Sequence, residues 1–134
     1  MTALADLPPF SDGARAELVL TQRRLRGCAV LLVRGEIDIA TVEQLERTGT
    51  RLLDGADGRL VLDLSGTTFM DISGVRATER LSRLASARGG SFAVVAVAPG
   101  VRRILALAAH PWLAVTGDLD TALEAVADRA GTSS

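Results

Sequence analysis

The chain has 134 residues, 48% of them hydrophobic and 23% charged, with a net charge of −1, which fits a single globular domain and supplies no field to draw it to nucleic acid or an anionic membrane. All 15 basic residues are Arg, and only 3% of the chain is aromatic; this excludes Schiff-base lysine chemistry, a P-loop lysine and a base-stacking platform. One cysteine, Cys28, excludes an internal disulfide and a multi-cysteine zinc site, and no apolar run approaches the roughly 20 residues of a membrane span.

Residues 1–15 are rich in Pro, Gly, Ser and Asp and read as a flexible tail. They lack the basic start and apolar stretch of a signal peptide, so a cytoplasmic location is expected. "ELVLTQRRLR" and "CAVLLVRGEI" are short and β-prone, and the Arg26-Gly27 pair between them predicts a hairpin. Cys28 opens the second run and reads as a small buried hydrophobe. "TVEQLERTGTRLLDGADG" reads as a helix, with Val42, Leu45, Gly49, Leu52 and Leu53 on one face. Thr41 and Gln44 match a capping box that starts it, and Gly55 and Gly58 end it.

"RLVLDL", residues 59–64, has the continuous apolar character of a strand covered on both faces. "TTFMDIS" is expected as a loop carrying Phe69, Met70 and Ile72. A second helix is predicted from about Gly74 to Ala87, with Val75, Thr78, Leu81, Leu84 and Ala85 inside and Arg76, Glu79, Arg80 and Arg83 outside. Gly89-Gly90 stops it. "SFAVVAVA" is another buried strand, Pro99 suits the first turn of a third helix, and Trp112 to Thr116 reads as a short edge strand. Asp118 or Asp120 caps a last helix, and residues 131–134 fray. Strands alternating with helices imply one α/β domain over residues 16–130 with a mixed, largely parallel sheet.

The residues available for chemistry are few. A Ser-His-Asp triad needs a histidine, and the single one, His110, sits at a helix end, where it serves as a dipole partner. "DISGV" is not a nucleophile elbow, no Gly-rich loop cradles a nucleotide, and the acids do not cluster at metal-ligand spacing. An enzyme is not expected, nor is a cofactor or metal. Glu36 and Asp38 alternate at a strand end and share one side. What remains is the joint at residues 64–75. There Ser73 stands close to free backbone N–H groups at the positive end of a helix, so its spacing fits a helix cap first and a phosphate acceptor second.

"RGEIDIAT", "LVLDLSGTTFMDISGV", "GGSFAVVAVAPGVRRIL" and "DLDTALEAV" resemble, in order and spacing, the STAS domain family, and within it the bacterial anti-sigma factor antagonists. The resemblance spans about residues 17 to 128, and "DLS…FMDISG" is its specific part. It implies a sheet of four or five strands with about four helices mainly on one face. It implies phosphorylation at Ser73 by an anti-sigma factor of the GHKL serine kinase type, and a serine phosphatase that resets the protein. The unphosphorylated antagonist would bind the anti-sigma factor and free sigma, acting as a monomer or weak dimer. Partner contacts are expected from Glu36, Asp38, Thr41, Phe69, Met70, Asp71, Ile72, Gly74 and Arg76, with Asp71 orienting the Ser73 hydroxyl and Thr41 capping the neighbouring helix. Three features depart from the family pattern: Ile72 leaves Ser73 as the only serine of the block, Arg76 makes the helix more polar and is read as facing solvent, and "AAHPWLAV" replaces the glycine-containing turn usual before the last strand. The alternative is a non-phosphorylated STAS subunit of a lipid-transport ATPase or a stress-signalling complex.

Overall fold

The computed structural model describes residues 17–55 and 57–132; residues 1–15, expected as a tail, lie outside them. Strand β1, Val19–Leu25, turns back on β2, Cys28–Ile37. The turn is the expected one. Arg26 (φ 53) and Gly27 (φ 76) both have positive φ, as the two central residues of a type I′ hairpin must. Helix α1, Val42–Gly55, leads to β3, Arg59–Met70, which runs into α2, Ile72–Ala87. Strand β4, Ser91–Val95, helix α3, Pro99–Ala108, the two-residue β5, Val115–Thr116, and α4, Leu119–Thr132, complete the chain.

The five strands form one sheet in the order β1-β2-β3-β4-β5. β1 is antiparallel to β2, and every other pair is parallel. Period-2 alternation sends side chains to two different layers. Ala29, Leu31 and Val33, with Leu60, Leu62, Leu64, Phe92 and Val94, pack against α1, α2 and α3. Cys28, Val30, Val61, Ala93 and Val95 meet Ala122, Leu123 and Val126 of α4 on the opposite face. The helices therefore lie mainly on one face, with α4 alone on the other. Cys28 is fully buried, and desolvation pushes its thiol pKa up despite nearby arginines.

Two expected features change. Helix α1 does begin after Thr41, but not through a capping box. The Gln44 side chain accepts from the Leu18 N–H at 3.2 Å, and Asp38 takes the capping role, its Oδ1 accepting from the N–H groups of Ala40 and Thr41. Glu79, expected on the outer face of α2, is buried at 7% exposure. Its carboxylate accepts from the His110 N–H at 2.7 Å, which fixes the turn after α3 to the middle of α2 and satisfies the buried acid.

Strand β3 outruns its neighbour. It pairs with β4 only through Arg59–Asp63, but with β2 as far as Ile37 opposite Met70. Residues 64–70 thus project as a two-stranded extension held by β2 alone. The segment expected as a loop is strand up to Met70. Pairing with β2 supplies its backbone hydrogen bonds, and Thr67 adds another by donating to the Val33 carbonyl at 2.9 Å.

Candidate functional site

At the tip of that extension the chain passes from strand to helix through one residue. Asp71 is the N-cap of α2, with extended backbone angles (φ −103, ψ −172). Its Oδ1 accepts from the N–H groups of Ser73 at 2.9 Å and Gly74 at 3.3 Å. Its own N–H donates to the Ile37 carbonyl at 3.1 Å, so the joint is tied to β2 as well. Ser73 is therefore not the cap. It is the second helical residue, half-buried, and its hydroxyl donates to the same Asp71 oxygen at 2.5 Å. One carboxylate both starts the helix and orients the hydroxyl.

Gly74 follows because nothing larger fits. A Cβ there would stand 2.7 Å from Met70 Cγ and 2.8 Å from Ile37 Cγ2. Its absence lets the first turn of α2 close down on the ends of β2 and β3. Met70 is 4% exposed and Ile37 is fully buried beneath the turn.

Beside this joint lies the turn from β2 into α1. Thr41 is 1% exposed, and its hydroxyl donates to the Glu36 carbonyl at 2.8 Å while accepting from the Asp38 N–H at 3.0 Å. Thr41, Met70 and Gly74, expected among the contact residues, are buried and support this end of the domain from within. Glu36, Phe69, Ile72 and Arg76 are exposed, and Asp38 is half-buried. Among the described residues Arg76 makes no ion pair, in keeping with its solvent-facing reading.

Three large apolar side chains stand out at the same end of the sheet: Ile39 at 80% exposure, Phe69 at 49% and Ile72 at 46%. Ile39 did not emerge from the sequence reading. The signal was there, an isoleucine set between Asp38 and Ala40 in a polar capping turn. Around the half-buried Ser73 these residues form an apolar rim with Glu36 and Asp38 as its acids, a composition suited to protein contact.

The geometry gives Ser73 a carboxylate partner rather than an imidazole. His110 stacks on Trp112, with ring centroids 5.5 Å apart and 12° between planes, and its backbone is held by Glu79. Among the described residues no three of His, Cys, Asp and Glu converge as metal ligands.

A family model described as "Mlab, STAS domain" matches residues 20–110. No curated protein matches the chain. Among solved structures, an anti-sigma factor antagonist from Mycobacterium paratuberculosis is 28% identical, with a TM-score of 0.77 over 84% of this chain and 97% of that one. SpoIIAA in its unphosphorylated form is 21% identical, with a TM-score of 0.60 over 84% of this chain and 98% of its own. The phosphorylated form of the Bacillus cell fate determinant SpoIIAA is 22% identical, with a TM-score of 0.60 over 81% and 99%. At these last two identities the likeness is one of fold.

Proposed function

The chain belongs to the STAS domain family, and from that premise we propose that it is an anti-sigma factor antagonist switched off by phosphorylation of Ser73. The observation that carries the proposal is the Ser73 hydroxyl itself, bonded to Asp71 at 2.5 Å within an exposed apolar rim. An unmodified serine leaves that rim free to dock on an anti-sigma factor through Ile39, Phe69 and Ile72. Asp71 fixes the hydroxyl toward an incoming phosphoryl donor, and as a carboxylate it can accept the hydroxyl proton.

A phosphate on Ser73 brings about −1.5 to −2 charges against Asp71. At a separation of ~4 Å each unit-charge pair costs about 1 kcal/mol in water and about 4 kcal/mol at an effective dielectric of 20. The helix N-terminus offsets part of this, by up to about 1 kcal/mol at an exposed site. The remainder either drives the phosphate outward across the rim or displaces Asp71 from its cap. Both outcomes place fresh charge where the partner needs apolar contact, and the complex dissociates. Removal of the phosphate by a serine phosphatase restores the face.

Intact-mass measurement tests this. Incubation with ATP and the GHKL-type serine kinases of the source organism should add one phosphate to the protein and none to Ser73→Ala. Equal labelling of both proteins sinks the assignment of Ser73.

One observation favours a second reading, a non-phosphorylated STAS subunit of a larger complex: the matching family model carries the description Mlab. Among the described residues no helix is long and apolar enough to cross a membrane, so membrane attachment through those residues would come from a partner. In that case Ser73→Asp would leave the complex intact, and the protein would co-purify with a transporter ATPase.

A further inference from the structure

A wide concavity lies away from Ser73, between α3 and the β5 edge of the sheet. Strand β5 has only two residues, too few to cover the flank of α3, which packs on β3 and α2 instead. The result is a groove of about 880 Å³ lined by Val97, Arg102, Arg103, His110, Leu113 and Val115, among others. A second cavity of about 470 Å³ adjoins it across His110, with Arg83 and Trp112 on its wall. Three large apolar residues of these walls are conspicuously open: Val97 at 51%, Trp112 at 48% and Val115 at 38%.

Charge is unevenly placed here. The chain as a whole is slightly acidic, yet the two cavities are lined by three arginines and a histidine and by no carboxylate. Among the described residues none of the three arginines is in an ion pair. Arg102 spends one nitrogen on the Ala96 carbonyl at 3.0 Å, which anchors the guanidinium beside the groove and leaves its other donors free.

The edge is open as well. The Val94 and Ala96 N–H groups donate to the carbonyls of Ala114 and Thr116. Backbone groups alternate in direction along a strand, so those of Val115 point away from β4. Among the described residues no strand lies beyond β5.

We infer that this groove receives a short extended segment of a partner protein, with an apolar and an acidic side chain two residues apart on one face, that adds to the β5 edge. Val115 supplies the backbone pairing, the exposed Val97 takes the segment's apolar side chain, and Arg102 and Arg103 take its carboxylate. Helix α3 has ten residues and is about 15 Å long, which matches four or five residues of extended chain. A concave, apolar-floored slot at a strand edge suits a peptide better than a nucleic acid. The latter would need a broader basic field than a chain of net charge −1 offers.

The chain's single tryptophan, Trp112, stacks on His110 at the rim and reports binding by its fluorescence. The probe is a capped pentapeptide of sequence Thr-Val-Thr-Glu-Thr, which presents Val and Glu on one face, with a control in which lysine replaces the acid. The acidic peptide should change the Trp112 emission saturably and shift the amide resonances of Val115 and Arg102. The paired charge reversal Arg102→Glu with Arg103→Glu, both at exposed positions, should weaken binding about tenfold or more and with it the salt dependence; circular dichroism confirms that the variant is folded. Ser73→Ala should bind as the unaltered protein does, so failure here and failure of the phosphoswitch are read separately. Equal binding of the lysine peptide, unmoved Val115 and Arg102 resonances at millimolar acidic peptide, preference for a ten-nucleotide oligothymidylate, or self-association through the groove would each overturn the inference.

Discussion

Asp71 is the residue on which fold and function converge, so its replacement separates them. In Asp71→Ala the Ser73 N–H and the Ser73 hydroxyl lose their acceptor, while the Gly74 N–H loses only the weaker of its two. Loss of an N-cap costs about 0.5–2 kcal/mol. The buried Gly74 N–H still donates to the Asp71 carbonyl at 3.0 Å, so no penalty for an orphaned buried donor is added. A total of about 1–2 kcal/mol follows. Asparagine keeps an acceptor oxygen in the same place and is as good a cap, so Asp71→Asn should cost less than about 0.5 kcal/mol. In urea, with a slope of about 2 kcal/mol per molar, the alanine variant's midpoint falls by about 0.5–1 M and the asparagine variant's by less than about 0.3 M. Phosphorylation should divide them the other way: Asp71→Asn, folded but without the negative oxygen, accepts phosphate much more slowly than the unaltered protein. Alanine and asparagine variants that unfold at the same urea concentration would refute the cap. An asparagine variant phosphorylated at the normal rate would refute the role of the carboxylate.

Gly74→Ala gains about 1 kcal/mol of helix propensity but overpacks Met70 and Ile37 at a cost of about 1–3 kcal/mol, so chemical denaturation should show a net loss. Arg26→Asn relieves a left-handed arginine in the hairpin and forfeits only an exposed ion pair to Asp120. A gain of about 0.5–1 kcal/mol, read as a rise in Tm of about 2–4 °C, is expected. The N–H and then the hydroxyl of Thr121 hold the Asp118 carboxyl below the usual carboxylate range. Its contribution to α4 is therefore present above the unfolded-state value and lost as pH falls through the lower folded one. The stability gap between the unaltered protein and Asp118→Ala should be full at neutral pH and close progressively below about pH 4.

What could be read from the sequence was local. The hairpin followed from Arg26-Gly27, the start of α3 from Pro99, and the buried strands from uninterrupted apolar runs, because each signal sits within a few residues of the feature it governs. The misreadings each turned on a distant partner. Residues 65–70 look like a loop until β2 comes alongside and takes up their backbone groups. Glu79 lies on the polar face of its helix by periodicity, yet it is buried because the His110 N–H reaches it from 31 positions away. Thr41 and Gln44 match a capping box, but Gln44 is claimed by Leu18 from before β1. At the site, the pairing of Asp71 with Ser73 came from the family resemblance, and spacing placed only Ser73 near the helix start. Which of the two capped the helix was not legible, since a shift of two residues in the start of α2 exchanges their roles. Ile39 was overlooked because one apolar residue in a turn carries no periodicity.

The account stands on Ser73 as a reversible control of the apolar rim. The direct measurement is the affinity of a purified GHKL-type anti-sigma factor for the unmodified protein and for the same protein carrying phosphoserine at position 73. The account predicts tight binding by the unmodified form and a loss of at least about a hundredfold on phosphorylation, the scale of a charge left unpaired in an interface. Equal affinities for the two forms would contradict it.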